Sequence, residues 1–227
     1  MKNPFRSLTK FEFCLWCFSV LSVILSFSLS ESGDPLKLIA SIIGVTALIF
    51  TAKGYVIGQI LIVIFSLFYG FISFYTRYYG EMITYLGMSS PIAILAAISW
   101  FKNPYKGTKE VSVNKPSKKQ LTVMLLLAVA VTAVFYFILK YLGNAALIVS
   151  TLSVTTSFIA AYLTFLRSPY YALAYAANDI VLIVLWCIAS VAEPSNLPML
   201  ICFAVFLVND LYGFINWRRM QKRQIQP

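Results

Sequence analysis

Asn178 and Asp179 stand side by side inside an apolar run, and Asn209 and Asp210 repeat that pairing in a later one. A carboxylate in the middle of such a run is expensive, about 2.5–3.5 kcal/mol on insertion scales, and residues of this kind face a bundle interior and mark a substrate or ion path. Tyr171 and Tyr175 lie four apart and Asn178 three further on, so a helix would carry two phenol rings and an amide on one face. That combination suits a planar heteroaromatic ligand, which stacks on rings and hydrogen-bonds to an amide. Gln59 and Tyr69 are candidates for the opposing wall. The ordinary reading of such Asn and Asp pairs is a hydrogen bond between helices, worth about 0.6 kcal/mol in lipid.

Other chemistry finds little support. The chain has no histidine, and its carboxylates do not cluster at the spacing of a metal site or an acid–base pair, so neither a cofactor nor an enzyme is expected. Cys14 and Cys17 form a lone CxxC within an apolar stretch and are read as packing residues. No G-x-x-x-x-G-K-[ST] loop is present, which argues against an ATP-driven pump.

The elements that must hold these residues are membrane spans. Sixty per cent of the 227 residues are hydrophobic and 11% charged, where soluble domains carry about a quarter charged residues. Apolar runs near 11–30, 36–52, 55–76, 81–101, 121–142, 146–166, 168–192 and 197–217 predict about eight transmembrane helices in an all-α integral membrane protein. Lys53-Gly54 marks a tight turn between the second and third. With the N-terminus inside, all of the 18 Lys and Arg residues except Lys37, Arg77 and Lys140 fall on the cytoplasmic side. The expectation is a multi-pass protein of the bacterial inner membrane with both termini cytoplasmic. The same distribution accounts for the net charge of +10 without a nucleic-acid partner. Lys2, Arg6 and Lys10 ahead of the first run also allow a signal peptide, although the run is long for one.

A polar stretch at 104–120 divides the chain. Ser41–Thr46 can be laid on Ser150–Thr155, and Ile98–Lys102 on Ile215–Arg219. The organisation read from this is an N-terminal helix (1–30), a three-helix repeat (36–103), a cytoplasmic linker (104–120), a linking helix (121–142), a second three-helix repeat (146–217) and a basic tail (218–227). One linking helix gives the two repeats the same orientation, and a substrate then sits between them near the midplane.

Tyr78-Tyr-Gly-Glu81, Ser90-Pro91 with Trp100-Phe-Lys-Asn103, Ala177-Asn-Asp-Ile-Val-Leu182 with Trp186, and Val208-Asn-Asp-Leu-Tyr-Gly-Phe-Ile-Asn-Trp217 carry a resemblance to the PnuC family of bacterial vitamin transporters. The resemblance implies a SWEET-like 3+1+3 fold with one extra N-terminal helix, a homotrimer, and facilitated diffusion of nicotinamide riboside trapped by cytoplasmic phosphorylation for NAD synthesis. Its binding residues would fall on Tyr175, Asn178 or Asp179, and Asn209. The riboside carriers show a Trp-x-x-Trp where this chain has Ala172-Leu-Ala-Tyr175. Related members carry thiamine, riboflavin or deoxynucleosides, and these remain open as cargo. A membrane sensor or scaffold without transport is the reading from another class.

Overall fold

The computed structural model describes residues 4–29, 35–75, 82–144 and 146–225. Within them the chain forms α1 (Lys10–Ser28), α2 (Pro35–Ala52), α3 (Val56–Tyr75), α4 (Thr84–Lys102), α5 (Lys118–Tyr141), α6 (Leu147–Phe165), α7 (Tyr171–Ala192) and α8 (Leu197–Ile225). Seven of these are long and apolar enough to cross a membrane, and α3 is apolar over Val56–Phe71. The Tyr78–Glu81 motif and Arg77 lie outside the described residues.

Helix boundaries follow local chemistry. Thr9 Oγ1 accepts the Glu12 N–H at 3.2 Å while Glu12 Oε2 accepts the Thr9 N–H at 2.6 Å, a reciprocal cap that starts α1. Ser117 and Gln120 do the same for α5, three residues earlier than the apolar run suggests. Between α2 and α3, Gly54 sits at φ +69°, a conformation that costs glycine nothing, and its N–H donates to the Thr51 carbonyl. The turn expected at Lys53-Gly54 is therefore present. In α4 the stretch Thr84–Ser89 is π-helical just before Pro91. Proline has no N–H and its ring crowds the carbonyl four residues back, so the turn beside it widens.

Six helices make a closed ring: α2 contacts α3, α3 contacts α4, α4 contacts α6, α6 contacts α7, α7 contacts α8, and α8 returns to α2. Helix α1 lies against α2 and α8, and α5 lies along α6. Lipid-facing apolar residues are plentiful, as a bilayer solvent allows: Leu126, Val129 and Phe137 on α5 are all exposed.

Two seams join the first three ring helices to the last three, and matching bonds close them. Trp100 Nε1 at the end of α4 donates to the Thr164 carbonyl of α6, and Trp217 Nε1 of α8 donates to the Thr51 carbonyl of α2, each at 2.9 Å. Beside them Ser99 Oγ donates to the Phe165 carbonyl and Asn216 Nδ2 to the Ala52 carbonyl. Both indoles are fully buried and their rings are 5.2 Å apart. Thr51 and Thr164 thus accept in the same way at the two seams.

The linker and the last helix are tied down at the same end. Val111 N–H donates to the Gly54 carbonyl and Asn114 N–H to the Arg167 carbonyl, so the linker spans the turns after α2 and α6. The segment read as a basic tail is instead helical through Ile225: Gln224 Oε1 accepts the Val113 N–H, Gln224 Nε2 donates to the Val111 carbonyl, and Arg223 pairs with Glu110.

Helix α1 is built into the core rather than appended to it. Val23 and Phe27 are buried among α2 and α8 residues. Glu12, only 2% exposed, accepts from Lys53 Nζ at 2.8 and 3.0 Å and from Tyr212 Oη at 2.9 Å, joining α1 to the α2 end and to α8. Breaking a buried pair by removing one partner leaves an uncompensated charge and costs about 3–5 kcal/mol. Lys53→Met is therefore expected to lower the thermal stability of the detergent-purified protein, and Glu12→Gln added to it should recover part of the loss. A melting temperature unchanged in the single variant would contradict this account of the latch.

Candidate functional site

All six ring helices contribute to one cavity. Each supplies a stripe at helical spacing. Helix α3 presents Gln59, Ile62 and Ser66, α6 presents Ser157, Ala161 and Thr164, and α7 presents Tyr171, Tyr175, Asn178 and Leu182. Gly44 of α2 and Asp210 of α8 complete the wall with Phe203 and Phe206.

Close helix contact shapes this space. A Cβ on Gly58 would stand 2.5 Å from the Thr51 backbone nitrogen, so only glycine lets α3 approach α2 where Gln59 and Thr51 meet. There Gln59 Nε2 donates to Thr51 Oγ1 at 3.5 Å, and Gln59 is 1% exposed.

On α7 the polar groups are held by their neighbours. Asn178 Oδ1 accepts from Thr156 Oγ1 at 2.8 Å and from Ser153 Oγ at 3.4 Å, both on α6. The amide carbonyl is thus engaged, and its N–H groups are the ones available for a ligand. Tyr171 packs its ring 4.9 Å from Trp217 and 6.2 Å from Tyr175, edge-on to both, which forms an aromatic floor at the end where the seams close. Asp179 and Asp210 face each other across the α7/α8 contact, both nearly fully buried. The two carboxyls hydrogen-bond to each other, and among the described residues no N–H or hydroxyl donor reaches Asp179 Oδ2. Since α7 begins at Tyr171, Asp179 lies about 12 Å along it, nearer the linker end than a start at 168 would place it.

Five of the seven residues singled out in the sequence line the cavity together: Gln59, Tyr171, Tyr175, Asn178 and Asp179. Asn209 does not. Its Nδ2 donates to Ser19 Oγ of α1 at 2.9 Å and to the Val205 carbonyl at 2.9 Å, so one residue of helix phase points it at α1 and gives the cavity to Asp210 instead. Tyr69 is also outside the lining. Its ring packs 4.6 Å from Tyr85 and 5.7 Å from Phe65, the two aromatic residues that do reach the cavity there. Asp210 was legible as the partner of Asn209, but adjacent residues in a helix point 100° apart, and the sequence did not say which faced inward. Of the wall contributed by α4, Tyr85 was one of many aromatic residues in the sequence, and Ser89, Ile92, Ala93 and Ala96 gave no signal, being small or apolar.

Among the described residues no group of His, Cys, Asp and Glu could hold a metal ion. Among the described residues the cavity wall includes two carboxyls and no Lys, Arg or His.

Comparison with known proteins gives a consistent result. Residues 34–219 match the family model described as nicotinamide mononucleotide transporter. A nicotinamide riboside transporter PnuC from Neisseria mucosa is 26% identical over 98% of this chain and 86% of its own. Its counterpart from Haemophilus influenzae is 24% identical over 83% of this chain and 81% of its own. The crystal structure of the vitamin B3 transporter PnuC superposes with a TM-score of 0.81 at 25% identity, covering 96% of this chain and 94% of that one. A ring of six helices around a largely apolar cavity with a few polar groups and a family match over most of its length lead to one conclusion: the chain belongs to the nicotinamide mononucleotide transporter family, a family of membrane transporters and not of enzymes.

Proposed function

We propose that this protein carries nicotinamide riboside across the bacterial inner membrane by facilitated diffusion. The observation that carries the reading is the cavity between the two three-helix units, whose wall sets the Tyr171 and Tyr175 rings and the Asn178 amide beside a carboxyl pair. A planar nicotinamide ring stacks on phenol faces, and its carboxamide and ribose hydroxyls exchange hydrogen bonds with Asn178, Gln59 and Thr51. The two relatives bear the riboside in their names.

Several features follow in the same reading. The units α2–α4 and α6–α8 act as the two repeats of a SWEET-like 3+1+3 plan, which the reciprocal Trp100 and Trp217 bonds support. The start of α1, the α2–α3 turn, the linker and the C-terminal end of α8 meet on one face, and the positive-charge excess supports reading that face as cytoplasmic. Cytoplasmic phosphorylation keeps the riboside in the cell. The protein assembles as a homotrimer, for which the exposed apolar face of α5 offers surface. Tyr175 stands where the riboside carriers place the second Trp of Trp-x-x-Trp and provides a smaller stacking face, which keeps thiamine, riboflavin and deoxynucleosides as the alternative cargoes.

Uptake into proteoliposomes tests the mechanism. Labelled nicotinamide riboside should equilibrate without ATP or an imposed ion gradient; uphill accumulation that requires either would refute facilitated diffusion, and tight binding without flux would favour a sensor. The mononucleotide should bind at least about tenfold more weakly than the riboside, because a phosphate meets no Lys or Arg in the wall. Tyr175→Ala should weaken riboside binding about tenfold or more by removing a stacking face, while Tyr175→Trp should preserve it. Equal affinities for all three proteins in calorimetry would remove Tyr175 from the site.

A further inference from the structure

The carboxyl groups of Asp179 and Asp210 are 3% and 4% exposed and meet across the α7/α8 contact. Among the described residues the cavity wall contains no Lys, Arg or His, and the ion pairs, Lys53 with Glu12 and Arg223 with Glu110, lie at the linker end. The two carboxyls hydrogen-bond to each other, and among the described residues no N–H or hydroxyl donor reaches Asp179 Oδ2. Buried carboxylates are ordinarily paired with a cation or fully hydrogen-bonded, since their desolvation is otherwise uncompensated. Both residues line the cavity together with Tyr171 and Tyr175, whose ring faces attract positive charge.

We infer that the cavity selects cargo by charge: Asp179 and Asp210, with the Tyr171 and Tyr175 rings, recognise a fixed positive charge on a quaternary heteroaromatic ring, and neutral heterocycles of the same shape are discriminated against. This deepens the transport reading above and rests on the cavity being the cargo site. It makes the acid pair a specificity determinant distinct from the amide and hydroxyl groups, which read hydrogen-bonding pattern. Nicotinamide riboside and thiamine each carry such a ring, pyridinium in one and thiazolium in the other. Riboflavin and deoxynucleosides do not. A cationic cargo thereby gives the acid pair a charge partner that the wall's own described side chains do not supply.

Calorimetric titration of the purified full-length protein separates the possibilities. The ligands are nicotinamide riboside, its uncharged 1,4-dihydro form, thiamine, riboflavin and thymidine. Nicotinamide riboside should bind at least about tenfold more tightly than its dihydro form, a modest demand on one charge–charge contact in a partly desolvated site. That ratio should shrink severalfold in Asp179→Asn and in Asp210→Asn proteins that elute as the wild type does. Comparable binding of the two redox forms by the wild-type protein overturns the inference without any variant, and so does a ratio that both Asn variants retain. Binding of thiamine but not nicotinamide riboside, weakened by the same substitutions, upholds charge selection while refuting the riboside reading. Binding of riboflavin or thymidine alone, or of none of the five, refutes both.

Discussion

Two indole N–H groups hold this architecture closed. Each of Trp100 and Trp217 donates to a backbone carbonyl of the other three-helix unit, and both accepting carbonyls, at Thr164 and Thr51, belong to the last turn of a helix. Each of these carbonyls also accepts the backbone N–H of the turn that follows, from Arg167 and Gly54, so its second lone pair takes the indole. In lipid a buried indole N–H must find a protein acceptor, and these bonds meet that need and join the units at once. Because they come in a matched pair, the ring closes at both seams with the same geometry, and the space left between the seams is the cavity.

Lipid imposes a second consequence on the polar groups. Threonines along α6 return their hydroxyls to carbonyls of their own helix, as Thr151, Thr155 and Thr164 do, so they can sit at depth without needing a neighbour. Groups that cannot satisfy themselves in this way are spent on specific partners: Asn209 on Ser19, Glu12 on Lys53 and Tyr212, and the Asn178 carbonyl on Thr156. The cavity holds the Asn178 amide N–H groups and the Asp179 and Asp210 carboxyls.

This division explains what could be read in the sequence and what could not. Hydropathy and charge placement located the helices to within a few residues, because the bilayer sets their length and the loops their charge. The α7 stripe of Tyr171, Tyr175 and Asn178 was legible because it lies within one helix, where spacing fixes the face. Facing across helices was not. Asn209 and Asp210 are chemically similar neighbours, and which of them meets α1 and which the cavity depends on how α8 is rotated against three other helices. The helical end of α8 was hidden as well, since Arg218–Arg223 has the composition of a free tail and is ordered by linker carbonyls and N–H groups more than a hundred residues away in sequence.

A wall with carboxyls and without lysine or arginine also decides how the cavity answers to voltage. Fixed charges stay with the protein, so the charge that crosses is the cargo's own. Moving one elementary charge through the membrane potential is worth about 2.3 kcal/mol per 100 mV, close to a fiftyfold concentration ratio. For a cationic vitamin the interior-negative cell would be electrically downhill with no coupling ion in the carrier, whereas a neutral nucleoside in the same cavity would feel only its own gradient.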